Sequence, residues 1–265
     1  FDHLPPPAPP SYNPDGSLAG SATLDLAGHY FDDHADRHRS RDDETSGAIR
    51  PWGIGPRVPM YVISPWTKGG WVNSQVHDHT SVIRFIESRF GVQEPLITPW
   101  RRAVSGDLTS CFDFANPEDS AFVQDLPATA ALRARSILLT STKTPATPTS
   151  LVAPVQAAGV RPARALPYDL QAQATVGTTG VTLRFENTGE AGAVFHVYNR
   201  LSLQEAPRRY TVEAGKQIEG SWAMAAGSAY DLWVLGPNGW HRHFAGTLPR
   251  ASTVQPRPEV RIEAD

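Results

Sequence analysis

The chain has one cysteine, Cys111, among 265 residues, so no disulfide closes within it, and an oxidising compartment is neither demanded nor excluded. Lysine is almost missing: Lys68, Lys143 and Lys216 are all there is, while arginine is plentiful, a bias read first as the mark of a GC-rich genome. No run approaches the roughly 20 apolar residues that span a bilayer. No charged-then-apolar leader opens the chain, and its first residue is Phe1 rather than methionine, as expected of a processed or truncated product. A formal net charge of −3 gives no global pull toward nucleic acid, and no nucleic-acid partner is expected. GxSxG elbows, CxxC pairs and dinucleotide fingerprints are also missing, and the Lys68-Gly69-Gly70 loop lacks the spacing of a phosphate-cradling P-loop.

What is there is enough for real cores, since 40% of the residues are hydrophobic and 19% charged. Residues 1–16 (FDHLPPPAPPSYNPDG) are too proline-dense for a helix and read as an extended path. Residues 21–50, polar and rich in Asp, Arg and His, read as a surface excursion. The apolar run VPMYVI (58–63) predicts a strand buried on both faces, ended by Ser64, Pro65, Trp66 and the Gly69-Gly70 pair. Val82, Ile83, Ile86 and Phe90 then recur at helical spacing, with Asp78 or Thr80 as candidate cap and Gly91 as the stop. Strand, loop and helix in that order predict α/β architecture, in which ligands gather where strands end and helices begin. Residues 64–81 fall there. The segment PWRRAVSGDLTSCFDF (99–114) has little periodicity and reads as an ordered wrap without catalysis.

From 127 to 165 the composition shifts to Ala, Thr, Ser and Pro, as in a linker. Beyond it Val181, Leu183 and Phe185 alternate with Thr182, Arg184 and Glu186, and NTGEAG leads into Val194 and Tyr198, predicting a hairpin. Tyr210, Val212, Ile218, Trp222, Tyr230, Leu232, Val234 and the stretch from Trp240 to Phe244 continue the alternation between turns, predicting an antiparallel β-sandwich. Residues 258–265 begin another strand.

His77, Asp78 and His79 adjoin the helix start, where imidazole and carboxylate groups can bind a metal or a phosphate-like group. Three consecutive residues do not all face one point, so some of them cap or pack. Asp2 and His3 form a second such pair ahead of a rigid proline run. His34 and His38, among Asp32, Asp33 and Asp36, have helical metal-site spacing but no supporting helix signal, so a solvated loop is the reading. Trp233 and Trp240 are explained by a sheet core, with an exposed face for lipid or carbohydrate as the alternative.

The run GPRVPMYVISPWTKGGWVNSQVHDHTSVIRFIESRFGV (55–92) closely resembles the later part of the catalytic domain in bacterial phosphocholine-specific phospholipases C. That phosphoesterase family also includes acid phosphatases and has an alkaline-phosphatase-like α/β fold. FDHLPPP and PWRRAVSGDLTSCFDF look like two further family segments in the right order, and residues 166–248 are similar to its small C-terminal β domain. The resemblance implies a partial catalytic domain over 1–126, a linker over 127–165, a β-sandwich over 166–250 and the opening of a second copy over 251–265. It also implies hydrolysis of phosphatidylcholine or sphingomyelin to phosphocholine and diacylglycerol or ceramide, with a divalent metal in the full-length enzyme. His79 is the implied active-site imidazole with Asp78 orienting it, His3 and Trp66 the substrate-binding positions, and Asp2 a metal position. The family's nucleophile and first metal ligands precede the matched motifs, so the isolated chain is expected to be inactive. Implied partners are a choline phospholipid, transiently the membrane surface, and a secretion chaperone; the implied location of the parent protein is secreted or periplasmic. A phosphomonoesterase of the same superfamily, or a lipid- or carbohydrate-binding module, is the competing reading.

Overall fold

The computed structural model describes residues 4–32, 49–67, 69–116, 127–139, 147, 149–150, 152, 155, 158–250 and 260–261. They fall into two units, one comprising 1–60, 73–110 and 165–265, the other 61–72 and 111–164.

Strict alternation builds the larger unit. Along β5 (Leu170–Gly177) and β6 (Gly180–Asn187) every second side chain is apolar, and successive strand residues face opposite ways, so one face of the pair must be covered. A two-residue turn joins them, and β9 (Lys216–Ala223) pairs along the other edge of β6, giving a three-stranded antiparallel sheet. Its inner residues, Val181, Leu183, Phe185 and Trp222 among them, share one core with Phe195 and Val197 of β7 (Ala193–Asn199), Tyr210 and Val212 of β8 (Arg208–Val212), Leu232 and Val234 of β10 (Ala229–Leu235), and Phe244 of β11 (His241–Thr247). Phe185 lies between Phe195 and Tyr210, with ring centroids 5.1 Å and 4.6 Å away.

The second sheet has seven strands in the order β1-β2-β8-β7-β10-β11-β12, with β1 (Ser11–Tyr12), β2 (Leu18–Ala22) and β12 (Val260–Arg261) completing it. Two strands from the start of the chain thus extend a sheet otherwise formed after residue 192. β2 runs parallel to β8, with Gly20 opposite Arg209. Gly20 sits at φ +123°, and a Cβ there would stand 1.9 Å from the Arg209 carbonyl oxygen, so this ladder forms only around glycine. The outer face of β7 is covered as well: Val194 packs with Trp100, Val104, Leu24, Leu26, Ile54 and Val76. A small pair, β3 (Tyr30–Asp32) with β4 (Ile49–Pro51), forms a separate two-stranded sheet.

Among the described residues three α-helices lie outside the sheets: α1 (His79–Phe90) and α2 (Pro99–Val104) in the larger unit, and α3 (Ala130–Ile137) in the smaller, where every α3 residue is exposed. In the smaller unit, Val72 bridges to Ala163 in parallel, and Arg164 lies over the Trp71 ring, 4.5 Å from its centroid.

Three expectations are corrected. Residues 58–63 form no strand, and Val58, Met60, Tyr61 and Ile63 are exposed; a doubly buried strand needs hydrogen-bonded neighbours and a layer on each face, and no described sheet takes this run in. Strand, loop and helix therefore reduce to loop and helix, and the parallel ladder among the described strands is β2 with β8. Residues 181–198 are no hairpin: β6 pairs with β5 and β9, and β7 with β8 and β10, so the NTGEAG turn carries the chain from one sheet to the other. Alternation tells which face is buried and is silent about the partner. The predicted helix forms with its stop at Gly91, which adopts the left-handed conformation. Its apolar stripe points outward, however: Val82, Ile83, Ile86 and Phe90 are between 43% and 67% exposed, and the helix's buried residue is Ser81. The result is a mixed α/β chain dominated by sheet.

Candidate active-site helix

The start of α1 is fixed by Asp78. Its Oδ1 accepts from the Thr80 amide (2.9 Å) and hydroxyl (2.5 Å), while its own amide donates to Ser81 Oγ (3.0 Å), a reciprocal cap that satisfies amides the helix leaves orphaned. The other oxygen, Oδ2, pairs with Arg101 Nη1 at 2.5 Å, and the Asp78 side chain is only 4% exposed. Among the described residues these bonds commit both carboxylate oxygens, and neither goes to His79.

Arg101 is aimed by α2. Thr98 caps that helix and Pro99 occupies its first turn; Arg101 then reaches Asp78 and the Gly53 carbonyl (3.3 Å). Thr98 Oγ1 also meets a ring nitrogen of His29, which is buried and tilted against Trp100 with centroids 4.8 Å apart. The inward side of α1 is polar: Arg84 donates to the carbonyls of Arg102 (3.1 Å) and Ser105, and Glu87 accepts both guanidinium Nη atoms of Arg102 at 2.8 Å. That fork, helped by the Glu94 amide, holds the Glu87 carboxyl down at about 2. Hydrogen-bonded charge, rather than apolar packing, clamps α1 to α2.

The three residues of the HDH run part company. His79 is the first residue of α1 and is exposed, at the helix end where backbone amides favour an anion. Asp78 caps. His77 is partly buried, and among the described residues neither ring nitrogen has a hydrogen bond of good geometry. It packs so closely on Gly106 that a Cβ there would lie 2.7 Å from the ring. Burial lowers the His77 pKa, against the opposing pull of the Gly106 backbone and of the Asp107 and Asp78 charges. Nearby, Asn73, Gln75 and Ser110 form a chain of hydrogen bonds: Asn73 Nδ2 donates to Ser110 Oγ (2.9 Å), which donates to Gln75 Oε1 (2.5 Å).

Asp2 and His3 lie outside the described residues, as do Lys68, His34 and His38. Trp66 belongs to the smaller unit, where its carbonyl accepts from the Asp113 amide (2.8 Å) and its ring packs against Phe114 at 6.1 Å. Among the described residues no group of three His, Cys, Asp or Glu side chains is placed to hold a metal ion. The described residues thus do not fit a metal centre by themselves. Reading the sequence missed Arg101 and Arg84. The Thr98-Pro99 pair, a cap followed by a first-turn proline, was the available signal for the helix that aims Arg101.

Residues 1–93 match the phosphoesterase family, and residues 162–247 match the C-terminal domain of bacterial phospholipase C. The chain thus carries a phosphoesterase-family segment followed by a phospholipase C C-terminal domain. Non-hemolytic phospholipase C of Pseudomonas aeruginosa is 51% identical over 270 residues, covering 99% of this chain and 37% of that protein. Non-hemolytic phospholipase C of Burkholderia pseudomallei is 43% identical over 98% of this chain and 36% of its own length, and hemolytic phospholipase C of P. aeruginosa is 37% identical over 99% and 37%. Over nearly its whole length the chain is thus similar to bacterial phospholipases C, and it spans about 37% of the length of these three relatives.

Proposed function

We propose that this chain is the C-terminal portion of a phospholipase C that hydrolyses the phosphodiester of phosphatidylcholine or sphingomyelin, and that by itself it is inactive. The observation that carries the reading is His79: an exposed imidazole at the amide-rich start of a helix whose direction is locked by Asp78 and Arg101. In the reaction, the P–O bond to the glycerol or ceramide oxygen breaks, that oxygen takes a proton, and phosphocholine leaves carrying an oxygen that comes from water. His79 is the group assigned to the leaving oxygen, Asp78 keeps the helix end in place, and the positive end of the helix dipole attracts the phosphoryl oxygens. His3 and Trp66 are assigned to substrate and Asp2 to the divalent metal, whose remaining ligands are groups other than the described residues. The catalytic segment is read as part of an alkaline-phosphatase-like α/β domain. A choline phospholipid, transient membrane contact, a secretion chaperone and a secreted or periplasmic parent protein complete the proposal.

The relatives' names and the uncovered apolar stripe of α1 support the reading, because a helix with that pattern is built to be packed on a protein layer. The test is a chimera in which this chain replaces the matching portion of the P. aeruginosa non-hemolytic enzyme, assayed on phosphatidylcholine and p-nitrophenylphosphorylcholine. The chimera is expected to turn over and the isolated chain not to. His79→Asn in the chimera is expected to lower kcat by about a hundredfold or more with the fold intact. Robust turnover by the isolated chain, or an unaffected His79→Asn chimera, overturns the assignment.

A further inference from the structure

The corner of the larger unit where β7 ends is built to hold apolar side chains outward. Asn199 organises the turn: its Oδ1 accepts from the Leu201 amide (3.2 Å), its carbonyl accepts from the Ser202 amide (3.0 Å), and its side-chain amide reaches Glu205 (3.5 Å). The Arg200 amide donates to the Asp231 carbonyl of β10 (2.9 Å), tying the turn to the neighbouring strand. Within this pinned turn Leu201 and Leu203 are 60% and 66% exposed. Alongside, Trp233 of β10 is the register partner of Tyr198 and faces away from the sandwich core; it is 40% exposed, and the Arg200 guanidinium lies over its ring, 5.9 Å from the centroid.

We propose that Leu201, Leu203, Trp233 and Arg200 form an interfacial binding surface for a phosphatidylcholine bilayer. Each group suits one depth of that interface: leucines enter the acyl boundary, an indole rests among the headgroups, and a guanidinium meets lipid phosphate. The charge is complementary, since the carboxylate of the turn, Glu205, is tied back to Asn199 while Arg200 stays beside the indole. A protein partner is the better occupant for the α1 stripe, whose residues recur at helical spacing and lie within the phosphoesterase match. This corner lies in the phospholipase C C-terminal domain, has no such period, and offers two leucines from one turn. The choice of lipid rests on the phospholipase reading; the surface itself rests on the turn.

The experiment uses the full 265-residue chain carrying Val82→Ser, Ile86→Ser and Phe90→Ser, so that the α1 stripe contributes nothing, and large unilamellar vesicles of phosphatidylcholine alone. Co-sedimentation and a blue shift of tryptophan emission report binding. Adding Leu201→Ser and Leu203→Ser is expected to lower vesicle affinity at least about tenfold, and Arg200→Gln a few fold, with unchanged far-UV circular dichroism. Failure of the parent to bind vesicles, equal binding by the leucine variant, or lipid-free self-association abolished by that variant overturns the proposal. A hydrolytically dead chimera alongside leucine-dependent vesicle binding removes the enzymatic reading and leaves this surface standing; an active chimera whose parent chain ignores vesicles does the reverse.

Discussion

Trp100 Nε1 donates to Thr211 Oγ1 across 2.9 Å, and both residues are 0% exposed. One belongs to α2, next to the phosphoesterase match, and the other to β8 of the phospholipase C β domain, so a buried hydrogen bond joins segments 111 residues apart in sequence. Thr211→Val keeps the shape and removes the acceptor, leaving a buried indole N–H unpaired at a cost of about 1–3 kcal/mol. Urea unfolding measures it. A Trp100→Phe/Thr211→Val double mutant is expected to show coupling, with the pair losing less than the sum of the single changes.

Asp78 is expected to act through the helix start. Asp78→Ala removes a cap worth about 1 kcal/mol and also the pairing with Arg101, for a total near 2–3 kcal/mol once the partial exposure of Arg101 is discounted. Asp78→Asn keeps a good capping acceptor but sets an amide nitrogen against Arg101 and loses that pairing, so about half that loss is expected. Equal losses in the two variants, measured by chemical denaturation, show that capping contributes nothing.

The α1 stripe carries little folding stability in this chain. Val82, Ile83, Ile86 and Phe90 are all exposed, so the Val82→Ser, Ile86→Ser, Phe90→Ser variant is expected to melt within a few degrees of the parent while binding much less of a hydrophobic dye and self-associating less. A large drop in melting temperature shows that the stripe is packed.

Stability is expected to fall with acid. His196 is buried on β7 opposite Arg209 of β8, and burial first, then the Arg209 charge, press its pKa from the ordinary 6.5 down to about 3. The unfolded chain takes up a proton near pH 6.5 that the folded chain refuses until about 3, so stability is full above 6.5 and declines between the two values, by up to about 1.4 kcal/mol per pH unit. Burial lowers the pKa values of His29 and His77 as well, which adds to the loss in the same direction. Other charged groups in that cluster, Arg209 with Tyr30 and Tyr198 around it, keep their charge state across this range. His196→Gln is expected to flatten the profile of melting temperature against pH; an unchanged slope removes the attribution.

Much of the β domain was legible because alternation is a local property. Val181, Leu183 and Phe185 announce a half-buried strand wherever they pair. The strand at 170–177 shows the same pattern through Leu170, Ala172, Ala174 and Val176, and was passed over because alanine is a faint apolar signal. Pairing was not legible: nothing in Leu18 to Ala22 reveals that the segment lies parallel to β8, because Gly20 reports a close approach without naming the neighbour. At the candidate site, Asp78 and Gly91 declared the helix ends through short-range chemistry. Arg101 could not be tied to Asp78 from sequence, since 23 residues and a second helix intervene. The apolar stripe of α1 gave the period correctly and the inward face wrongly, because hydrophobicity records what a helix is made to touch, whereas Arg84 and Glu87 record what it touches here.

The ladder between β2 and β8 has a practical corollary for anyone dissecting this protein. A cloning boundary drawn just ahead of residue 166 discards two strands of a seven-stranded sheet, strips the cover from Val194, and leaves the β8 edge free to recruit a stray neighbour. A well-behaved excised module would have to carry along both strands and the cover of Val194, which reaches from Leu24 to Val104.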